Sequence, residues 1–110
     1  MNSRKPFRRI NAAEARILLT NTDFIILDVR QPGDFARGHI PGARNISVAT
    51  LYSVIDWAPK SLPILIYCYH GYASQEFAQI FSDFRFEDVY SLDGGYEGWI
   101  TALEPEGTSS

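Results

Sequence analysis

The sequence holds one cysteine, Cys68, at the end of the apolar run Ile64-Leu65-Ile66-Tyr67 and directly before Tyr69-His70-Gly71-Tyr72-Ala73-Ser74. A lone cysteine cannot close an internal disulfide, which leaves a packed hydrophobe, an incidental surface thiol or a nucleophile. Its placement favours the third. A turn from a buried strand into a helix points successive backbone N–H groups inward, and the helix N-terminus adds positive potential. Both favour an anion at the loop centre and the thiolate over the thiol, and the thiolate is the nucleophile. Gly71 suits such a turn because it tolerates positive φ and close backbone approach. The plain alternative is that Cys68 is the last core residue of its strand and the following residues are an ordinary connection.

His70, two residues on, is open to three readings: a general base, a cationic neighbour for the thiolate, or a solvated loop residue. Its place suggests that it lines the pocket or orients a substrate. One Cys and two His carry no ligand-spacing motif, so no metal is expected.

The elements that must hold this loop can be read from periodicity. Asn11 and Glu14 are spaced as a capping box, and Ala15, Leu18 and Leu19 make one apolar helical face ending near Asn21. The run from Phe24 to Val29 interrupts its apolar residues only at Asp28, the pattern of a strand buried on both faces. Pro32-Gly33 is expected to turn the chain, with about one helical turn at residues 34–37 closed by Gly38. Residues 43–46 are a candidate short strand. Val48, Leu51, Tyr52 and Ile55 recur at helical spacing, and Pro59 ends that helix. Phe77, Ile80, Phe81 and Phe84 place a helix over residues 74–84, and residues 88–92 form a further strand. Gly94-Gly95 breaks the chain before a last short helix containing Trp99.

Strands alternating with helices predict a single α/β domain, a central parallel sheet with helices on both faces. Ligands bind such folds outside the carboxyl ends of the strands, where Cys68 falls. The expected organisation is a basic segment at residues 1–9, the domain at 10–103, and a flexible tail at 104–110. The 110 residues are 45% apolar or aromatic, enough to bury a core, and the net charge of −3 does not suggest a nucleic-acid partner. Arg4, Lys5, Arg8 and Arg9 read as a solvated approach to an edge strand rather than an RNA or membrane contact. No apolar run reaches the length of a membrane span and no signal-peptide h-region opens the chain, so a cytoplasmic location is expected.

The run Leu27-Asp28-Val29-Arg30, then Asp34-Phe35, Gly38-His39-Ile40-Pro41-Gly42-Ala43 and Asn45-Ile46 resembles the N-terminal signature of rhodanese-homology domains. Asp93-Gly94-Gly95 followed by Trp99 resembles their C-terminal signature, and the Cys68 loop matches their active-site loop in place and length. The Cys-Tyr-His-Gly opening is most similar to short single-domain bacterial thiosulfate sulfurtransferases. The resemblance runs from about Ile10 to Trp99. It implies that Cys68 takes a sulfane sulfur from a donor such as thiosulfate, becomes a persulfide, and passes the sulfur to a thiol, to cyanide or to a protein cysteine by double displacement. Residues 69–74 would bind the substrate, with Tyr69, His70, Gly71, Tyr72, Ala73 and Ser74 forming the loop, and no cofactor is required. Asp28 and Arg30 would support the site by tying neighbouring loops, His39 would bond backbone, and Trp99 would be core.

The chain departs from the family pattern where many loops carry Arg just before Ser74: here the residue is Ala73, and no Arg or Lys lies between Lys60 and Arg85. Arg30 and Arg44 are the candidates to bring a cation from elsewhere, and a dianionic donor is expected to be used less efficiently without one. A cysteine phosphatase or arsenate reductase would need Arg at position 74 to grip the oxyanion, and Ser74 stands there. The alternative from another class is a binding module or sulfur carrier acting with a protein partner, for which Tyr69 and Tyr72 would form the docking rim.

Overall fold

The computed structural model describes residues 6–103. Met1 to Lys5 of the expected basic segment, and the whole of the expected tail at 104–110, lie outside the described residues. Five strands form one wholly parallel sheet in the order β1-β5-β4-β2-β3. They are β1 (Arg8–Ile10), β2 (Ile25–Asp28), β3 (Arg44–Asn45), β4 (Ile64–Tyr67) and β5 (Val89–Leu92). Between and after them run α1 (Ala12–Asn21), α2 (Pro32–Arg37), α3 (Val48–Trp57), α4 (Ala73–Asp83) and α5 (Gly95–Leu103). Among the described residues no helix is long and apolar enough to cross a membrane.

The central position of β4 follows from its composition. Every residue from Ile64 to Tyr67 is buried, as a strand covered on both faces requires. Leu65 and Tyr67 point into one core layer with α1, α5, Ile40 and Trp99. Ile64 and Ile66 point into the other, with Leu51, Val54 and Ile55 of α3 and Ala78 and Phe81 of α4. The alternation is the period-two pleat acting on an unbroken apolar run. Trp99 is core.

The helices start where their side chains can satisfy free amides. Asn11 Oδ1 accepts from the Glu14 N–H at 2.8 Å, and Glu14 Oε1 accepts from the Asn11 N–H at 2.8 Å, a closed capping box. Pro32 and Gly33 do not form a separate turn. They are the first residues of α2, where the missing Pro N–H costs nothing and its fixed φ already suits a helix. Gly38 ends α2 in extended backbone rather than a left-handed cap. A side chain at Gly38 would meet the Tyr96 hydroxyl at 2.9 Å.

The apolar face of α3 differs from the expected one. Leu51, Val54 and Ile55 are buried, whereas Val48 and Tyr52 are exposed. The stripe follows i, i+3, i+4 from Leu51, and Tyr52 rests edge-on against Phe84 at the surface, ring centroids 5.9 Å apart. The remaining expected elements occur within one or two residues of their predicted bounds; α4 begins at Ala73, one residue early.

β2 and β4 are neighbours, and their C-terminal ends lead to opposite faces. The chain leaving β2 delivers Ile40 to the layer of α1 and α5, while the chain leaving β4 enters α4 on the other side. The connections part at this point, and in open α/β sheets such a parting is where ligands bind; Cys68 opens the loop that leaves β4 there.

Candidate functional site

The Cys68 loop is held from below by β4 and from the side by α5. The Tyr96 N–H donates to the Cys68 carbonyl at 2.8 Å and the Glu97 N–H to the Tyr69 carbonyl at 3.3 Å. Both donors lie in the first turn of α5, where amides have no partner within the helix. With these carbonyls turned outward, the amides that follow face the loop interior. Gly95 is the residue that allows the approach. Its φ is +58°, and a Cβ there would sit 2.4 Å from both the carbonyl carbon and the oxygen of Tyr69. Gly71, at φ +104°, completes the turn, with the Gly94 amide nitrogen 3.0 Å from where its Cβ would be.

The inward amides converge on sulfur. The Gly71 N–H donates to Cys68 Sγ at 3.2 Å and the Ser74 N–H at 3.3 Å. The second of these is a helix-capping bond made by a thiol. Tyr72, at the N-cap of α4, makes no side-chain cap, so the free amide of Ser74 in the first turn finds the sulfur instead. The thiol in turn donates to Ser74 Oγ at 3.4 Å. Burial pushes the Cys68 thiol up, but the Ser74 hydroxyl and the N–H groups of Ser74, Gly71 and His70 outweigh it, and the group ionises below the ordinary thiol value. Cys68 is 3% exposed, so little of the residue meets solvent directly.

The other expected residues separate into those that face the cup and those that hold its walls. Ser74 is fully buried beside the thiol, and its hydroxyl lies 2.8 Å from Ser91 Oγ, a residue that motif reading passes over because a serine inside a strand carries no signal of its own. The backbone of His70 serves the thiol, but its imidazole is exposed and lies 3.6 Å from a Glu97 carboxylate oxygen, at the rim. Tyr72 is 79% exposed and Ala73 is exposed at the start of α4.

Tyr69 is exposed like Tyr72, but its hydroxyl is engaged. Its hydroxyl donates to Asp34 and accepts from the Gln31 N–H at 3.2 Å, which ties the loop to α2. That bond raises the Tyr69 phenol and, with the Arg37 guanidinium, lowers the Asp34 carboxyl.

Asp28 and Arg30 form a buried pair behind the loop. Arg30 Nη2 donates to Asp28 Oδ2 at 2.7 Å and to the Gly38 carbonyl at 2.7 Å, and the Arg30 N–H donates to Asp28 Oδ1 at 2.8 Å. The guanidinium lies 4.1 Å from the Tyr96 ring centroid, and the Tyr67 hydroxyl accepts from the Ile40 N–H at 3.1 Å. Burial, followed by its bond to Asp28, raises the Tyr67 phenol far above its usual range. Arg44, the other expected source of a cation, lies over the Trp57 ring at 4.5 Å. His39 bonds backbone, its Nδ1 2.8 Å from the Phe35 carbonyl oxygen, and its ring stacks on Phe35.

A thiol at a strand end whose amide neighbours favour its anion has what attack on a soft atom requires. The family model of the Rhodanese-like domain matches residues 11–102. The chain belongs to the rhodanese-like domain family. The thiosulfate sulfurtransferase GlpE of Pseudomonas aeruginosa is 42% identical over 104 residues, 94% of this chain and 93% of that protein. The GlpE of Pseudoalteromonas translucida is 40% identical over 96 residues, 87% of this chain and 91% of that protein. Among solved structures, a rhodanese-related protein from Thermoplasma volcanium superposes with a TM-score of 0.77 at 26% identity, covering 90% of this chain and 96% of that one. The two rhodanese signatures thus acquire a geometric meaning: the first carries the Asp28–Arg30 pair and the turn at Ile40, the second carries Gly95 and the α5 amides that close on the loop.

Proposed function

We propose that the protein is a sulfurtransferase in which Cys68 carries a sulfane sulfur as a persulfide. The Cys68 thiolate attacks the outer sulfur of a donor such as thiosulfate. The new bond is Sγ–S; the donor's S–S bond breaks and its electron pair leaves with sulfite. The terminal persulfide sulfur is then attacked by a thiolate, by cyanide or by a protein cysteine. The Sγ–S bond breaks and the Cys68 thiolate returns. The two half-reactions are displacements at sulfur that require no metal or organic cofactor, and ping-pong kinetics follow.

The observation that carries this reading is the convergence of the Gly71 and Ser74 amides on Sγ at 3.2 and 3.3 Å. Fixed N–H dipoles stabilise an anionic sulfur without reorganising, which is what each displacement needs as charge moves between Sγ and its partner. The names of the relatives, thiosulfate sulfurtransferases, point to the same donor. A protein thiol as acceptor is favoured by one further feature: Tyr72, an aromatic side chain 79% exposed at the loop mouth, presents contact area to a macromolecule that a small acceptor would not use.

The test is the intact mass of the reduced protein before and after thiosulfate, with Cys68→Ser alongside. A gain of one sulfur that cyanide removes, absent in the variant, is the expected result. A gain retained in Cys68→Ser defeats the assignment of the nucleophile. No gain with thiosulfate, mercaptopyruvate or a persulfidated protein defeats the enzymatic reading and leaves a binding module.

A further inference from the structure

Ser91 lies on β5 with its side chain fully buried, and its hydroxyl is 2.8 Å from that of Ser74, which is also fully buried. Ser74 Oγ is in turn 3.4 Å from Cys68 Sγ. Three polar atoms therefore form a single file from the sheet interior to the nucleophile, Ser91 Oγ to Ser74 Oγ to Cys68 Sγ. The register of the sheet sets the alignment: Ser91 pairs with Ile66 of β4, two residues before Cys68. A fully buried hydroxyl on β5, a strand flanked by β1 and β4 and paired here with Ile66, is a costly choice unless its hydrogen bond matters.

We infer that Ser91 is a positioning residue for the nucleophile, acting through Ser74 to hold the hydroxyl of Ser74 as a donor to the Cys68 thiolate. Each hydroxyl has one proton, so the file has a direction. With the thiol present, S–H donates to Ser74 Oγ and the Ser74 O–H turns to Ser91 Oγ. When the thiol loses its proton to solvent, both hydroxyls rotate: Ser91 donates to Ser74, and Ser74 donates to the sulfur anion. No proton passes along the file and no bond other than S–H is broken. Ser91 fills the acceptor position of Ser74 while Ser74 donates, and a hydroxyl that accepts is the better donor. The inference rests on Cys68 being the nucleophile, and it extends the site to a strand that the loop sequence does not contain.

The test reads the thiolate directly, by the pH dependence of iodoacetamide alkylation of Cys68, so it does not depend on sulfur transfer. Ser91→Ala is expected to move the alkylation midpoint upward by about half to one pH unit, a roughly threefold to tenfold loss of reactivity below the midpoint. Ser91→Thr, which keeps the hydroxyl, is expected to restore the wild-type midpoint. In a Ser74→Ala background Ser91→Ala is expected to have no further effect on it, because the mediator is gone. Ser82→Ala, which removes another buried hydroxyl farther along α4, is the control for loss of packing and is expected to leave the profile in place. An unmoved midpoint in folded Ser91→Ala overturns the inference, as does an equal shift in both backgrounds. Should Ser91→Ala fail to fold, the Ser74→Ala midpoint decides: no upward shift there removes the donor on which Ser91 would act.

Discussion

The Tyr96 amide donates to the Cys68 carbonyl across 2.8 Å, so the first turn of α5 sets the orientation of the Cys68 peptide group. The contact joins residues far apart in sequence and depends on Gly95, the only kind of residue that can bring α5 so close to the loop. Gly95→Ala adds a methyl group 2.6 Å from the Cys68 oxygen and forces an L-residue to φ +58°. The backbone strain alone is worth ~1–3 kcal/mol. The expected outcome is a lower denaturation midpoint together with a fall in sulfur loading of at least about tenfold, equivalent to ~1.4 kcal/mol on the barrier. Gly33→Ala is the matched control, since nothing lies within 4 Å of its would-be Cβ and it sits within α2. It is expected to hold or slightly raise stability with loading unchanged. Equal behaviour of the two variants would show that the approach of α5 does not position the loop.

The depressed ionisation of Cys68 has a stability signature of defined sign. Burial opposes the thiolate, but the Ser74 hydroxyl and the amides of Ser74, Gly71 and His70 favour it more, so the folded thiol loses its proton at a lower pH than the unfolded one. Between those two values the unfolded chain holds a proton that the folded protein has released, and stability rises with pH. The contribution is fully present above the unfolded thiol value of ~8.5 and is lost as pH falls through the folded value. Urea midpoints of the wild type minus those of Cys68→Ser, measured from pH 6 to 10, are expected to grow toward alkaline pH. A flat or falling difference would mean that the loop does not favour the thiolate.

Much of this arrangement was legible in the sequence, and the rest was hidden for a physical reason. The apolar runs of β2 and β4, Asn11 with Glu14, and the helical stripe of α4 are local patterns, and the sheet and its flanking helices follow from them. The position of Cys68 at a strand end was legible in the same way. The role of Gly95 was not, because the motif shows a glycine but not the carbonyl it approaches, and that carbonyl is brought in by the packing of α5. Tyr69 read as an exposed aromatic and is one, but that Asp34 and the Gln31 amide bind its hydroxyl was not visible in the sequence. Ser91 becomes visible only when β4 and β5 are aligned in register. Val48 and Tyr52 matched a helical period and still face solvent, since two stripes of similar period overlap on α3 and the sheet covers one.

The Asp28–Arg30 pair predicts an asymmetric response to mutation. Both side chains are buried, and the pair is joined to the Gly38 carbonyl and to the Tyr96 ring. Arg30→Met leaves the Asp28 carboxylate buried without its counter-charge and is expected to cost ~3–5 kcal/mol in chemical denaturation. Asp28→Leu in the same chain removes the stranded charge and is expected to recover part of that loss, because a buried ion pair and an apolar pair of similar volume often differ little. A double variant less stable than Arg30→Met by the full cost of a second core substitution would show that the pair is not coupled.

Neither cation offered by distant segments is free to meet a donor. Arg30 is engaged by Asp28 and Gly38, and Arg44 lies over Trp57. The loop itself holds no Arg or Lys, and the His70 ring lies beside Glu97. A dianionic donor therefore approaches a cup lined by amides and hydroxyl, with no guanidinium or ammonium in the loop. Ala73 is exposed at the first position of α4, so an added guanidinium there can lie at the mouth without disturbing the core. Its cost is a cation at a helix N-terminus, ~0.3–1 kcal/mol of stability. Its gain, at the strength of an exposed ion pair, is about a twofold to fivefold lower KM for thiosulfate at low salt. Ala73→Arg is expected to show that fall in KM with little change in kcat, and the advantage is expected to fade as ionic strength approaches 1 M, where screening acts within ~3 Å. An unchanged or higher KM at low salt would mean either that Tyr72 already occludes the approach or that the donor is not a small dianion. Ala73→Arg with Tyr72→Ala separates the two, since only occlusion is relieved by removing the ring.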